Sequence, residues 1–209
     1  MNEATRDLQR LADLAASLRP RFAPEKPLPR LLFVTDPVRT PDPEAIAATL
    51  PAGGGVIFRA FGAPDAAARA GRLRKIATAR GLLLLIGADA ALAEACGADG
   101  VHLPERAIGA AGALRATHPD WSITAAAHSL EAAHAAFQAG CDAILASTVF
   151  ASGSASAGEP MGADGFAAFV AAAPLPVYAL GGVNVRTAPA LVGSGAAGFA
   201  MVEGLLSRP

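Results

Sequence analysis

The chain predicts an α/β fold, a (β/α)8 TIM barrel with an additional N-terminal helix, on three observations. Eight short apolar runs alternate with helix-length stretches. Glycine-bearing joints of one design recur between a helix and the next run. The composition, 53% hydrophobic and 17% charged, suits parallel strands buried on both faces beneath small-residue helices. A length of 209 residues permits one sizeable core and eight βα units with tight loops.

Residues 2–18 carry Leu8, Leu11, Ala15 and Leu18 at helical spacing, which predicts an amphipathic helix ahead of the barrel. The proline- and charge-rich stretch 19–30 reads as a connector, so residues 1–30 form the N-terminal helix and connector and residues 31–209 the barrel. The apolar runs at 31–35, 55–60, 82–87, 100–103, 122–126, 143–147, 177–180 and 198–202 read as strands. Between them, 43–50, 65–80, 89–96, 108–117, 129–139, 163–172 and 185–192 read as helices. A doubly wound open sheet is the alternative, but no G-x-G-x-x-G follows the first strand. The joints Gly97-Ala98-Asp99-Gly100, Gly140-Cys141-Asp142-Ala143 and Gly195-Ala196-Ala197-Gly198 place a helix-ending glycine before a strand and read as scaffold at the barrel bottom.

The formal net charge of −1 with interspersed signs excludes the electrostatic footprint of a nucleic-acid or anionic-membrane binder. The longest apolar run is far short of the roughly 20 residues that span a bilayer. Cys96 and Cys141 sit in Ala/Gly-rich surroundings and read as small buried hydrophobes in a reducing, cytoplasmic setting. The expected partner is a small molecule.

In such a barrel the chemistry sits at the C-terminal ends of the strands. The apolar strand that stops at Gly181-Gly182, followed by a helix-sized segment and a second strand stopping at Glu203-Gly204, is the pattern of a phosphate cradle. Glycines there admit an anion to the backbone N–H groups, and a following helix start would add partial positive charge. Glu203 fits beside a phosphate only if it is turned away or paired. His128, after the fifth strand and before the helix-capping Ser129, is the candidate proton-transfer group, with capping of its own loop as the alternative. Arg59, a charge in an apolar strand, must meet either a ligand anion or a carboxylate such as Asp36 or Glu203. His102 reads as a core histidine, and His118 and His134 as surface residues. Thr35, Ser147, Ser152 and Ser154 are candidate substrate contacts, the last two on the flexible loop 151–161.

Taken together, Phe33-Val34-Thr35-Asp36, Gly97 through Pro104, Ala127-His128-Ser129-Leu130-Glu131-Ala132-Ala133, Val149-Phe150 and Val177 through Val183 resemble the thiamin-phosphate synthase/thiazole tautomerase (TenI-like) family, in order over residues 31–206. The resemblance implies a barrel, usually a homodimer, that binds a thiazole phosphate at Gly181, Gly182, Glu203 and Gly204. It implies Mg2+ and metal carboxylates only for the synthase branch. Where that branch alternates Gln, Arg and Lys on strand two, this chain has Ile57, Arg59 and Phe61. Its Asn-Asp pair appears as Gly87-Ala88, its second metal aspartate falls on Ala107, and its Thr-x-Thr-Lys segment is represented by Ser152, Ser154 and Ala155. The resemblance therefore implies the tautomerase branch, an isomerase with no cofactor or metal in which His128 relays the proton and Arg59 holds the substrate carboxylate. Two alternatives stand beside it. One is a synthase with a metal site rebuilt from Asp89 and Asp36; the other is a non-catalytic phosphate-binding barrel.

Overall fold

The computed structural model describes residues 3–22, 26–153 and 158–203. Eight parallel strands close on themselves in sequence order: β1 (Leu31–Val34), β2 (Gly55–Phe58), β3 (Leu83–Gly87), β4 (Gly100–Leu103), β5 (Ser122–Ala127), β6 (Ala143–Ala146), β7 (Val177–Leu180) and β8 (Gly198–Met201). The closing seam pairs Leu31 with Phe199 and Phe33 with Met201. The helices are α1 (Glu3–Ser17), α2 (Pro43–Ala47), α3 (Ala66–Arg80), α4 (Ala90–Cys96), α5 (Ala111–Thr117), α6 (Leu130–Gln138) and α7 (Gly162–Ala172).

Strand side chains alternate between two cores. Leu32, Val34, Ile57, Leu85, Leu145 and Tyr178 fill the barrel, while Phe33, Val56, Phe58, Ile86, Val101 and Phe199 face the helices. Tyr178 plugs the lower barrel, its hydroxyl donating to the Pro29 carbonyl at 2.6 Å. Leu8, Leu11 and Ala15 of α1 are buried in the same outer core, against β1. The connector is fixed below the barrel by Arg21, whose N–H donates to the Gly195 carbonyl at 2.9 Å, and by Arg30, whose guanidinium reaches the Leu18 carbonyl.

Two elements differ from the sequence expectation. The stretch expected as a helix over 108–117 opens with a 3-10 helix, Glu105–Ala110, before α5. The helix expected over 185–192 is instead a turn and a short 3-10 helix, Ala188–Leu191. Pro189 has no backbone N–H to donate and Gly193 takes φ +94°, so no α-helix propagates through this stretch.

The recurring joints serve one purpose. In the first, the Asp99 N–H donates to the Leu84 carbonyl while Asp99 Oδ2 accepts the Leu84 N–H at 2.7 Å and a 2.8 Å bond from Arg74. In the second, Asp142 repeats both bonds with Ile123 and takes Arg115 at 2.7 Å. Each aspartate thus staples its strand to the lower end of the preceding strand and to the helix that leads into that preceding strand. The third joint carries Ala197, which keeps only the backbone bond, to Val177. Replacing Asp142 with Ala strands a buried N–H and a guanidinium, and urea unfolding should show a loss of about 2–4 kcal/mol. Asp99→Ala, at a more exposed joint, should lose less.

Candidate active site

The mouth of the barrel is formed by the last inward-facing residue of each strand and the loop beyond it. On β2 the alternation that turns Ile57 inward also turns Arg59 inward. Thr35 fixes the base of that arginine, its hydroxyl accepting the Arg59 N–H at 2.9 Å and its carbonyl accepting Nε at 2.7 Å. The Arg59 chain then lies across the end of β3. A Cβ at Gly87 would sit 3.0 Å from Arg59 Cγ, so any side chain at 87 would push the arginine away. Burial lowers the guanidinium's hold on its proton and nearby Arg39 adds to this, while Asp36 opposes it.

Of the two readings for Arg59, a buried carboxylate is present. Asp36 Oδ2 takes Arg39 Nη2 at 2.9 Å and Arg59 Nη2 at 3.4 Å. Burial alone would raise the Asp36 carboxyl; hydrogen bonds from the Arg39 side chain and from the Arg39 and Val38 backbone outweigh it and hold the group at about 2. Arg39 also lies 3.8 Å from Glu203, so that glutamate is paired. The Arg59 guanidinium stands 5.2 Å from the centre of the exposed Phe61 ring.

His102 lies level with Gly87 and Thr124 in the ladder, and its Nδ1 is 3.0 Å from Thr124 Oγ1. Burial, with the Arg59 charge behind it, pushes the imidazole down to about 3. It is therefore a neutral hydrogen-bonding group of the mouth. On the rim, His128 receives a partner that the sequence did not single out. Glu105 Oε2 accepts the His128 N–H at 2.7 Å and lies 2.7 Å from Nδ1. The only sequence signal was a carboxylate two residues past the end of β4. His118 stacks on Trp121 and His134 bonds the Leu130 carbonyl, so neither belongs to the mouth.

The glycine pair is built as a tight loop whose own packing requires glycine. Gly182 has φ +64°, and a Cβ there would lie 2.5 Å from the Ala151 carbonyl. The segment after β6 presses on the pair, with Phe150 N–H bonded to the Gly181 carbonyl at 3.0 Å. The Gly182 carbonyl is held from the other side by Thr187 Oγ1 at 2.8 Å and Asn184 Nδ2 at 3.1 Å, two residues that sequence reasoning passed over. No α-helix start follows the pair, so the expected dipole contribution is corrected to that of a loop pinned by two side chains. Ser147 continues the inward alternation of Ala143 and Leu145 at the end of β6, and Ser152 is half-buried in the loop above. Ser154 and Gly204 lie outside the described residues.

The Mg2+ implied for a synthase finds no matching donor set. Among the described residues no group of three or more His, Cys, Asp or Glu could hold a metal ion. Asp36 is committed to two guanidiniums, and Asp89 caps α4 by accepting the Leu92 N–H at 2.8 Å. Ala88 and Ala107 offer no oxygen beyond the backbone.

Comparison with known proteins places this geometry in context. Residues 31–205 match the family model described as thiamine monophosphate synthase. The chain belongs to that family. It is 38% identical over 207 residues to the thiamine biosynthesis bifunctional protein ThiM/ThiE of Symbiobacterium thermophilum, covering 97% of this chain and 43% of the relative. It is 33% identical over 148 residues to a thiamine-phosphate synthase of Methanoregula boonei, covering 70% of this chain and 68% of that one. The chain thus spans less than half the length of the bifunctional relative. The structure of the thiamine phosphate pyrophosphorylase from Pyrococcus furiosus superposes with a TM-score of 0.71 at 24% identity, covering 91% of this chain and 88% of that one, which shows the shared fold. These relatives overturn the expectation of a thiazole tautomerase: the Methanoregula protein is named as a thiamine-phosphate synthase, and the Symbiobacterium one as a bifunctional thiamine biosynthesis protein. The departures at 57, 61, 87, 88 and 107 argue against the synthase branch, yet similarity to the Methanoregula synthase extends over 70% of this chain.

The buried neutral His102 gives the fold a pH dependence. Its proton affinity is lower folded than unfolded, so the unfolded chain binds more protons below about pH 6.5, and stability is lost as pH falls through that value. Unfolding followed between pH 7 and pH 5 should show a contribution from this residue of up to about 1.4 kcal/mol per pH unit, and His102→Gln should flatten it.

Proposed function

We propose that this chain acts as a thiamine-phosphate synthase, joining the ring nitrogen of a phosphorylated thiazole to an aminopyrimidine carried as its diphosphate. The observation that carries the reading is 38% identity across 97% of the chain to a bifunctional thiamine biosynthesis protein. In the reaction a C–N bond forms at the pyrimidine methylene as its C–O bond to the diphosphate breaks, and pyrophosphate leaves. The chain's contribution is positioning. The Gly181-Gly182 loop, pinned by Asn184, Thr187 and the segment after β6, presents backbone to the thiazole phosphate. Leu180 and Val202 line the apolar floor beside it, and Arg59 faces the anionic end of the partner.

No helix among the described residues is long and apolar enough to cross a membrane. The reading places the enzyme in the cytoplasm, in keeping with its free cysteines.

Purified protein mixed with both substrates should release thiamine phosphate and pyrophosphate in equal amounts, followed by chromatography. Absence of product with and without Mg2+ would remove the reading. Gly182→Ala, whose Cβ would collide with Phe150 and Ala151, should raise KM for the thiazole phosphate or lower kcat/KM by about tenfold or more.

A further inference from the structure

Just past the end of β2 the chain bends through a four-residue turn, Ala60–Ala63, closed by the Ala63 N–H donating to the Ala60 carbonyl at 3.0 Å. Its two central residues are Phe61 at φ +48° and Gly62 at φ +76°. Positive φ at both central positions is the pattern that glycine, asparagine and aspartate fill, because a larger side chain there crowds the neighbouring carbonyl. Gly62 meets that demand. Phe61 does not, since a bulky ring at positive φ is a conformational outlier.

Burial gives the ring nothing in return. Phe61 is 68% exposed and belongs to neither hydrophobic core. The group that lies against it is the Arg59 guanidinium, 5.2 Å from the ring centre, which Thr35 and Asp36 hold from behind. A fixed cation beside the ring sets its orientation and leaves the rest of its surface open at the rim of the mouth. The other strongly exposed phenylalanine among the described residues, Phe137, lies in α6, where the backbone carries no such strain. Strain that the fold itself does not repay, placed at a ligand mouth, points to a gain made on binding.

An aromatic face accepts planar rings in offset stacks. Of the two rings in the proposed reaction, the thiazole is assigned through its phosphate to the Gly181-Gly182 loop after β7, and β7 stands three strands from β2 round the closed barrel. The aminopyrimidine is the ring left for the β2 side. Position 61 is also where the synthase branch carries lysine on its second strand, so this chain offers an apolar face in place of a charge. We propose that Phe61 is a substrate-binding residue that stacks on the aminopyrimidine ring. This deepens the synthase reading and rests on it for the identity of the ring.

The test compares calorimetric titrations of the full chain, in Mg2+ buffer, with the aminopyrimidine diphosphate and with inorganic pyrophosphate, which carries the anion without the ring. Phe61→Ala and Phe61→Asn should each weaken the aminopyrimidine diphosphate by about five- to tenfold, while Phe61→Tyr keeps it. Pyrophosphate affinity should stay within about twofold throughout. Phe61→Asn fits the turn, so it should also unfold at a higher urea concentration than the wild type. Phe137→Ser should change neither titration. The proposal is overturned by equal weakening of both ligands in Phe61→Ala, by an unchanged affinity for the aminopyrimidine diphosphate, or by no binding of that ligand to the wild type. A Phe61→Asn chain less stable than the wild type would show that the ring serves the fold, and would overturn it as well. The reaction and the contact fail separately. Binding that depends on Phe61 without condensation keeps the contact and removes the reaction, whereas condensation with an unchanged KM for the aminopyrimidine diphosphate in Phe61→Ala keeps the reaction and removes the contact.

Discussion

The seam between β8 and β1, with Leu31 against Phe199 and Phe33 against Met201, is the constraint from which the other features follow. Closure leaves no unpaired strand edge, so the backbone polar groups of eight short strands are satisfied by one another. It also divides the molecule into two ends with different tasks. At the lower end the chain invests in attachment: the Asp99 and Asp142 staples, the Tyr178 plug and the arginine-fixed connector all lie there. At the upper end each strand releases one inward side chain into a shared space, and the loops are free to differ.

That division explains why two kinds of departure coexist at the mouth. The Gly181-Gly182 side is held in place because its loop is bonded to both neighbours, through Phe150 on one flank and Thr187 on the other. The β1–β2 side is electrostatic, organised by Arg39 and Arg59 with the carboxylates of Asp36 and Glu203. His102 lies between them as an uncharged group, kept so by burial and by the arginine beside it. A charged imidazole there would add a third positive group to a cluster that already has two.

The fold was legible in the sequence because its signals are redundant. Eight apolar runs, their spacing and the joint glycines all encode the same barrel, and α3, α4, α6 and α7 begin and end within a residue of their expected limits. The exception at 185–192 arose because apolar spacing was read as a helix where side-chain hydrogen bonding from Asn184 and Thr187 organises a turn. At the site, strand-end positions such as Arg59 and His102 could be named, since topology puts them at the mouth. Partners brought in by loops could not. Glu105 beside His128 and Arg39 beside Asp36 come from separate turns of the chain or from a loop whose path no periodicity reports. The branch of the family was misjudged because a few strand-end departures, such as Ala88 and Ala107, were weighed above the similarity carried by the rest of the chain.

Ala88 carries φ +62°, a left-handed conformation that asparagine and aspartate adopt more readily than alanine. The backbone at the end of β3 therefore already has the shape that a carboxylate-bearing residue prefers, and its N–H is tied down by the His102 carbonyl at 2.9 Å. In evolutionary terms the step from Ala88 to Asp relieves strain rather than creating it. Position 88 is therefore a place where a carboxylate can enter this mouth without a backbone cost.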